Sequence, residues 1–152
     1  MESVSKLNKD TIRGVQGLIE INIDSSKGFK EAAEKIESPG IANLFRQCAA
    51  ERAEFAAELK NVIRMNGVEP EDDGTLKGAA HRWWLGIRGT VSGGDEHSVL
   101  AEAERGEDAI KQRYESTLRD TAGSAVNDIL QHQYVRVKSR HDQIRDMRDA
   151  RA

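Results

Sequence analysis

The chain has 152 residues, of which 32% are charged and only 5% aromatic, with two prolines and a formal net charge of −3. That length suits one domain with a single sizeable core, and the composition favours long solvent-facing helices over a β-sandwich. Interspersed charges give no basic footprint for nucleic acid or an anionic membrane, and no apolar run approaches the ~20 residues of a membrane span.

Met1 to Asp10 lacks the apolar stretch of a secretory signal. The single cysteine, Cys48, excludes an intramolecular disulfide and fits a reducing compartment. A cytoplasmic protein is therefore expected, one domain over residues 1–152.

From about Ser5 to Glu37, apolar residues fall at Ile12, Val15, Ile19, Ile23, Phe29, Ala33 and Ile36, the steps of three and four that mark one helix face. Ser38-Pro39 then reads as a capping serine followed by proline at the first helical position. The second stripe runs Ile41, Leu44, Cys48, Phe55, Leu59 and Val62, ending near Asn66-Gly67. Glu51 fills its gap at helical spacing, and Cys48 reads as a small buried hydrophobe.

The stretch from Gly67 to Gly94 contains an acidic turn and then Leu76, Ala80, Trp83, Ile87 and Val91, a pattern for one short amphipathic helix. A connection this long can return the chain along the bundle and leave the flanking helices parallel. Helix three is expected to start at the N-cap Asp95, with Leu100, Ala103, Glu107, Ile110, Tyr114 and Leu118 on its stripe. After a turn at Thr121 to Ser124, helix four carries Val126, Leu130, Gln133, Val137, His141 and Ile144.

The apolar stripes are thus interrupted by charged or titratable groups. Two similar tetrapeptides, Glu51-Arg52-Ala53-Glu54 and Glu104-Arg105-Gly106-Glu107, each put a carboxylate on a buried face, where it must be paired, protonated or metal-bound. Counting ~1.5 Å per residue from the ends that the crossover would bring together places both pairs, and His141, at similar depth. Glu20 or Asp24 on helix one lies near the same level. Carboxylates three residues apart share a helix face, and oxygen-rich sites with an imidazole suit iron or manganese. Tyr114, Tyr134, Gln133 and Asn22 are candidate hydrogen-bonding supports for such ligands.

The stretches Gly28-Phe29-Lys30-Glu31-Ala32-Ala33-Glu34, Ala80-His81-Arg82-Trp83-Trp84, Glu104-Arg105-Gly106-Glu107-Asp108, and Gln133-Tyr134 through His141-Asp142 carry a likeness to known proteins. Through them the chain resembles the ferritin-like superfamily, in particular uncharacterised bacterial four-helix bundles related to rubrerythrin. The resemblance implies an all-α, ferritin-like four-helix bundle with its long crossover between helices two and three. It also implies a dinuclear site of two iron or manganese ions, with oxygen, peroxide or iron chemistry. Carried over residue by residue, the metal ligands would be Glu20, Glu51, Glu54, Glu104, Glu107 and His141.

The sequence departs from that pattern twice. Helix two lacks the Glu-x-x-His histidine, and Lys138 stands where helix four would supply a carboxylate. Lys138 either replaces a metal ion among the carboxylates or extends its ammonium to solvent. Two functions therefore stay open: a bundle with a variant di-metal site, or a metal-free stress-related or interaction bundle. In the second, Trp83 and Trp84 would mark a partner surface, such as a homodimer interface. His81, His97 and His132 have no ligand-spaced partners and read as surface or capping residues.

Overall fold

Three of the four described helices begin where a short polar side chain accepts an amide hydrogen that the first helical turn leaves unpaired. The computed structural model describes residues 3–70 and 95–151. Its helices are α1 (Lys9–Lys35), α2 (Pro39–Met65), α3 (Glu96–Asp120) and α4 (Asn127–Asp149). Asn8 accepts from the Thr11 amide at 2.8 Å, which starts α1 four residues after Ser5. Ser38 caps α2 with Pro39 in its first turn, and Asp95 accepts from the Ser98 amide at 2.7 Å to open α3. The short helix expected within 76–91, with Trp83 and Trp84, lies outside the described residues.

The α2 C-terminus closes through backbone geometry. Gly67 takes φ +73°, a left-handed conformation that costs glycine little. The Gly67 amide then donates to Arg64 O and the Val68 amide to Ile63 O, the paired bonds of a Schellman motif. Asn66 adds a clasp, because its Oδ1 accepts from the Leu7 amide while its Nδ2 donates to Val4 O and Val62 O, each at 2.8 Å.

The predicted stripes of α2 and α4 are buried along their whole length, as are Leu100, Ala103, Glu107, Ile110 and Tyr114 of α3. On α1 the buried face is rotated from the expected one. It centres on Val15, Leu18, Ile19, Asn22, Ser25 and Phe29, leaving Ile12 and Ile23 at its edge. Two neighbouring helices cover α1 over a wider arc than a single stripe, so polar Asn22 and Ser25 fall inside. Phe29 of α1 packs on Phe45 of α2 with ring centroids 5.2 Å apart.

Side-chain contacts fix the topology. Ser26 Oγ donates to Ala49 O and Leu7 meets Asn66, so α1 and α2 are antiparallel. Gln133, Arg136 and Arg140 of α4 reach Glu58, Glu51 and Gln47 of α2 in reverse order. Tyr134, His141 and Arg151 likewise meet Glu115, Asp108 and Glu96 of α3. Both α2 and α3 are thus antiparallel to α4 and parallel to each other. Met65 and Glu96 lie at opposite ends, which makes the connection between them a long crossover. Among the described residues no helix is long and apolar enough to cross a membrane.

Asn66→Ala should destabilise the protein by about 1–3 kcal/mol in urea unfolding, because the Leu7 amide and two carbonyls lose their partner. Hydrogen exchange at the Leu7 amide should accelerate in the same variant. An unchanged exchange rate would contradict the clasp.

Candidate metal centre

The two Glu-Arg-x-Glu tetrapeptides meet in the core, and they meet through an arginine. Arg52 Nη1 and Nη2 donate to Glu107 Oε1 and Oε2 at 2.6 and 2.7 Å, with both side chains 0% exposed. A guanidinium suits this place because its planar fork matches both carboxylate oxygens. Burial alone would lower the Arg52 pKa, but attraction and hydrogen bonding to Glu107 outweigh it and hold the guanidinium above its ordinary value. Cys48, one turn earlier on α2, has its thiol pushed up to about 12 by burial and then by the Glu107 charge.

A polar chain crosses the bundle beside this pair, with one residue from each helix. Asn22 Nδ2 donates to Tyr114 Oη at 2.8 Å, Tyr114 Oη donates to Gln133 Oε1 at 2.8 Å, and Gln133 Nε2 donates to Glu58 Oε1 at 2.7 Å. Burial raises the Tyr114 phenol above its ordinary value, so it serves as a neutral relay. The residues expected to support metal ligands therefore mostly satisfy one another. Tyr134 turns away from them and donates to Glu115 Oε2 at 2.6 Å.

The six sequence-derived ligand candidates have different surroundings. Glu107 gives both oxygens to Arg52. Glu51 is buried against Arg136 Nη2 at 2.6 Å and Arg140 Nε at 3.5 Å. Glu54 is exposed on α2, and Glu20 is buried on α1. Glu104 and His141 approach each other across the α3–α4 seam, with Glu104 Oε1 3.7 Å from His141 Nε2. Lys138 is exposed, consistent with its ammonium extending to solvent.

Asp108, one helical turn beyond Glu104, completes a three-residue cluster. Donor atoms of Glu104, Asp108 and His141 all lie within 4.8 Å of one another, a group that can hold a metal ion. Carboxylates at i and i+4 of α3 face the seam together, and His141 enters from α4. Its Nδ1 lies 3.0 Å from Asp142 Oδ1, and this contact lowers the Asp142 pKa. A tautomer with its proton on Nδ1, donated to Asp142, presents the Nε2 lone pair to the seam.

Nε2 faces Asp108 Oδ1 at 2.7 Å, yet the approach is out of line and Nε2 has no hydrogen-bond partner. Acceptors held this close repel each other unless a proton or metal cation lies between them. His141 is only 10% exposed, while Asp108 at 48% keeps the seam open to solvent.

Residues 10–120 match the model of a family described as a domain of unknown function, DUF2383. The chain belongs to this family. No curated protein matched the chain. The DUF2383 match takes in Arg52, Glu104, Glu107 and Asp108, whereas His141 and the rest of α4 lie beyond it.

Sequence reasoning passed over Arg52 and Asp108. Arg52 was legible as the helical step between Cys48 and Phe55, but the neighbouring Glu51 occupies the same gap in the stripe. Asp108 follows Glu104 at i+4, a pairing hidden when the motif is read only as Glu-x-x-Glu.

Arg52→Ala should cost about 3–5 kcal/mol in urea unfolding because it strands a buried Glu107 charge, whereas Arg52→Met with Glu107→Leu should be near neutral or stabilising. Equal losses in the two variants would refute that assignment. Native Cys48 should resist a thiol reagent at pH 8 and react only as the chain unfolds; rapid labelling of the folded protein would contradict its burial. The raised thiol pKa has a sign too. Its contribution is fully present below the unfolded-state value near 9.0 and is lost as pH rises toward about 12.

Proposed function

We propose that this bundle reversibly binds one divalent transition-metal ion at the α3–α4 seam, through Glu104, Asp108 and His141. The observation that carries this reading is the nearly buried His141 Nε2, which faces two carboxylates without a hydrogen bond. Its other ring nitrogen is held by Asp142, as metal-bound imidazoles usually are held by a carboxylate or carbonyl. One nitrogen and carboxylate oxygens suit zinc, iron or manganese. Three protein ligands leave further coordination positions for water or an incoming ligand. The chemistry supported is therefore exchangeable metal binding, with Asp108 on the solvent side.

The single-ion reading is preferred to the two-ion centre implied by the ferritin-like resemblance. One-crossover topology is shared with ferritin-like bundles, but function has to be argued from the site rather than the fold. An interior two-ion centre using Glu51 and Glu107 would have to displace three arginine contacts. Each displaced guanidinium would need a new partner or a route to water. A second reading, a metal-free interaction bundle, draws on the sealed Arg52–Glu107 pair, which can fix helix register without any metal. A homodimer and a cytoplasmic location remain proposals within either reading.

Calorimetric titration with Zn2+, Mn2+ and anaerobic Fe2+ tests the metal reading. At least one ion should bind at one equivalent per chain, and Asp108→Asn and His141→Gln should each weaken it by at least about tenfold. Circular dichroism checks that both variants keep their helices. No binding in the unaltered protein, or full affinity in both folded variants, would favour the metal-free bundle.

A further inference from the structure

Glu104 divides its two oxygens between different tasks. Oε1 faces His141 Nε2 at 3.7 Å, while Oε2 is held by Arg148 Nη1 from the last turn of α4. Arg148 is anchored in turn, with Nε and Nη2 donating to Asp149 Oδ1 at 3.1 and 2.8 Å. Glu104 is 12% exposed, so its carboxylate has little room to exchange these roles.

We infer that Arg148 is a specificity-determining positioning residue, which restricts Glu104 to one donor oxygen and biases the seam toward transition ions over calcium. This rests on the metal-binding reading above. Calcium takes six to eight oxygen ligands and commonly uses a carboxylate in bidentate fashion. With Oε2 engaged by Arg148, Glu104 offers only Oε1 beside the imidazole nitrogen. Zinc-like ions accept such a set with four ligands, whereas calcium gains little from the nitrogen and lacks oxygens. Freeing Oε2 would supply the second carboxylate oxygen and relax that discrimination.

Arg148 also carries charge, and removing it strengthens binding of every dication. The informative quantity is consequently the ratio of zinc to calcium affinity. That ratio is measured by titrating Zn2+ and by competing bound Zn2+ with Ca2+, in the unaltered protein and in Arg148→Met. Arg148 is partly exposed in the final helical turn, and circular dichroism is used to check that the variant keeps its helices.

Arg148→Met should shift the ratio toward calcium by about tenfold or more, the scale of effects from residues supporting metal ligands. Affinities that rise equally for both ions, or not at all, would overturn the inference and leave the zinc site standing. Failure of the unaltered protein to bind Zn2+ would also overturn the inference, and failure with Mn2+ and Fe2+ as well would remove the underlying metal reading.

Discussion

The buried contact between Arg52 and Glu107 sets the arrangement of the remaining charged groups. Neither side chain is exposed, and each is acceptable in the core only because the other is there. The contact joins α2 to α3, successive described helices that the crossover makes parallel. A shift of either helix by one residue would carry one partner away and strand a charge. Such a pair contributes little net stability against an apolar substitute, but it strongly penalises wrong registers. The adjacent chain from Asn22 through Tyr114 and Gln133 to Glu58 extends that demand to all four helices.

The same contact moves the candidate chemistry outward. Arg52 occupies both oxygens of Glu107, and Arg136 and Arg140 neutralise Glu51. Acidic groups that would suit a cation in the core thus have protein cations already. At the α3–α4 seam the balance differs, since Glu104, Asp108 and Asp142 surround one imidazole. Arg148 meets one oxygen of Glu104, and Arg145 lies 3.4 Å from Asp142. Neither arginine supplies a hydrogen bond to His141 Nε2, and the seam keeps a carboxylate and imidazole group that could hold a metal ion.

The helices were readable because their apolar periodicity is long and their caps are chemically explicit. Asn66-Gly67 and Asp95 marked the ends of the crossover, and the depth argument correctly brought the two tetrapeptides together. Facing of α1 was less legible, since Asn22 and Ser25 are polar yet lie under neighbouring helices. Within the candidate site, periodicity located Glu107 and His141 on buried faces but could not choose their partners. A one-residue difference on α2 decides whether Glu51 or Arg52 points at Glu107, and helical angle alone leaves both near the interior. Asp108 escaped for a related reason, being half exposed and therefore absent from the apolar stripe.

The most direct test of this arrangement is an anomalous-scattering map from crystals soaked in zinc, recorded at the zinc absorption edge. A peak bounded by Glu104, Asp108 and His141, with Arg52 still paired to Glu107, is the predicted result. A peak between Glu51 and Glu107, with Arg52 displaced from the core, would contradict the account.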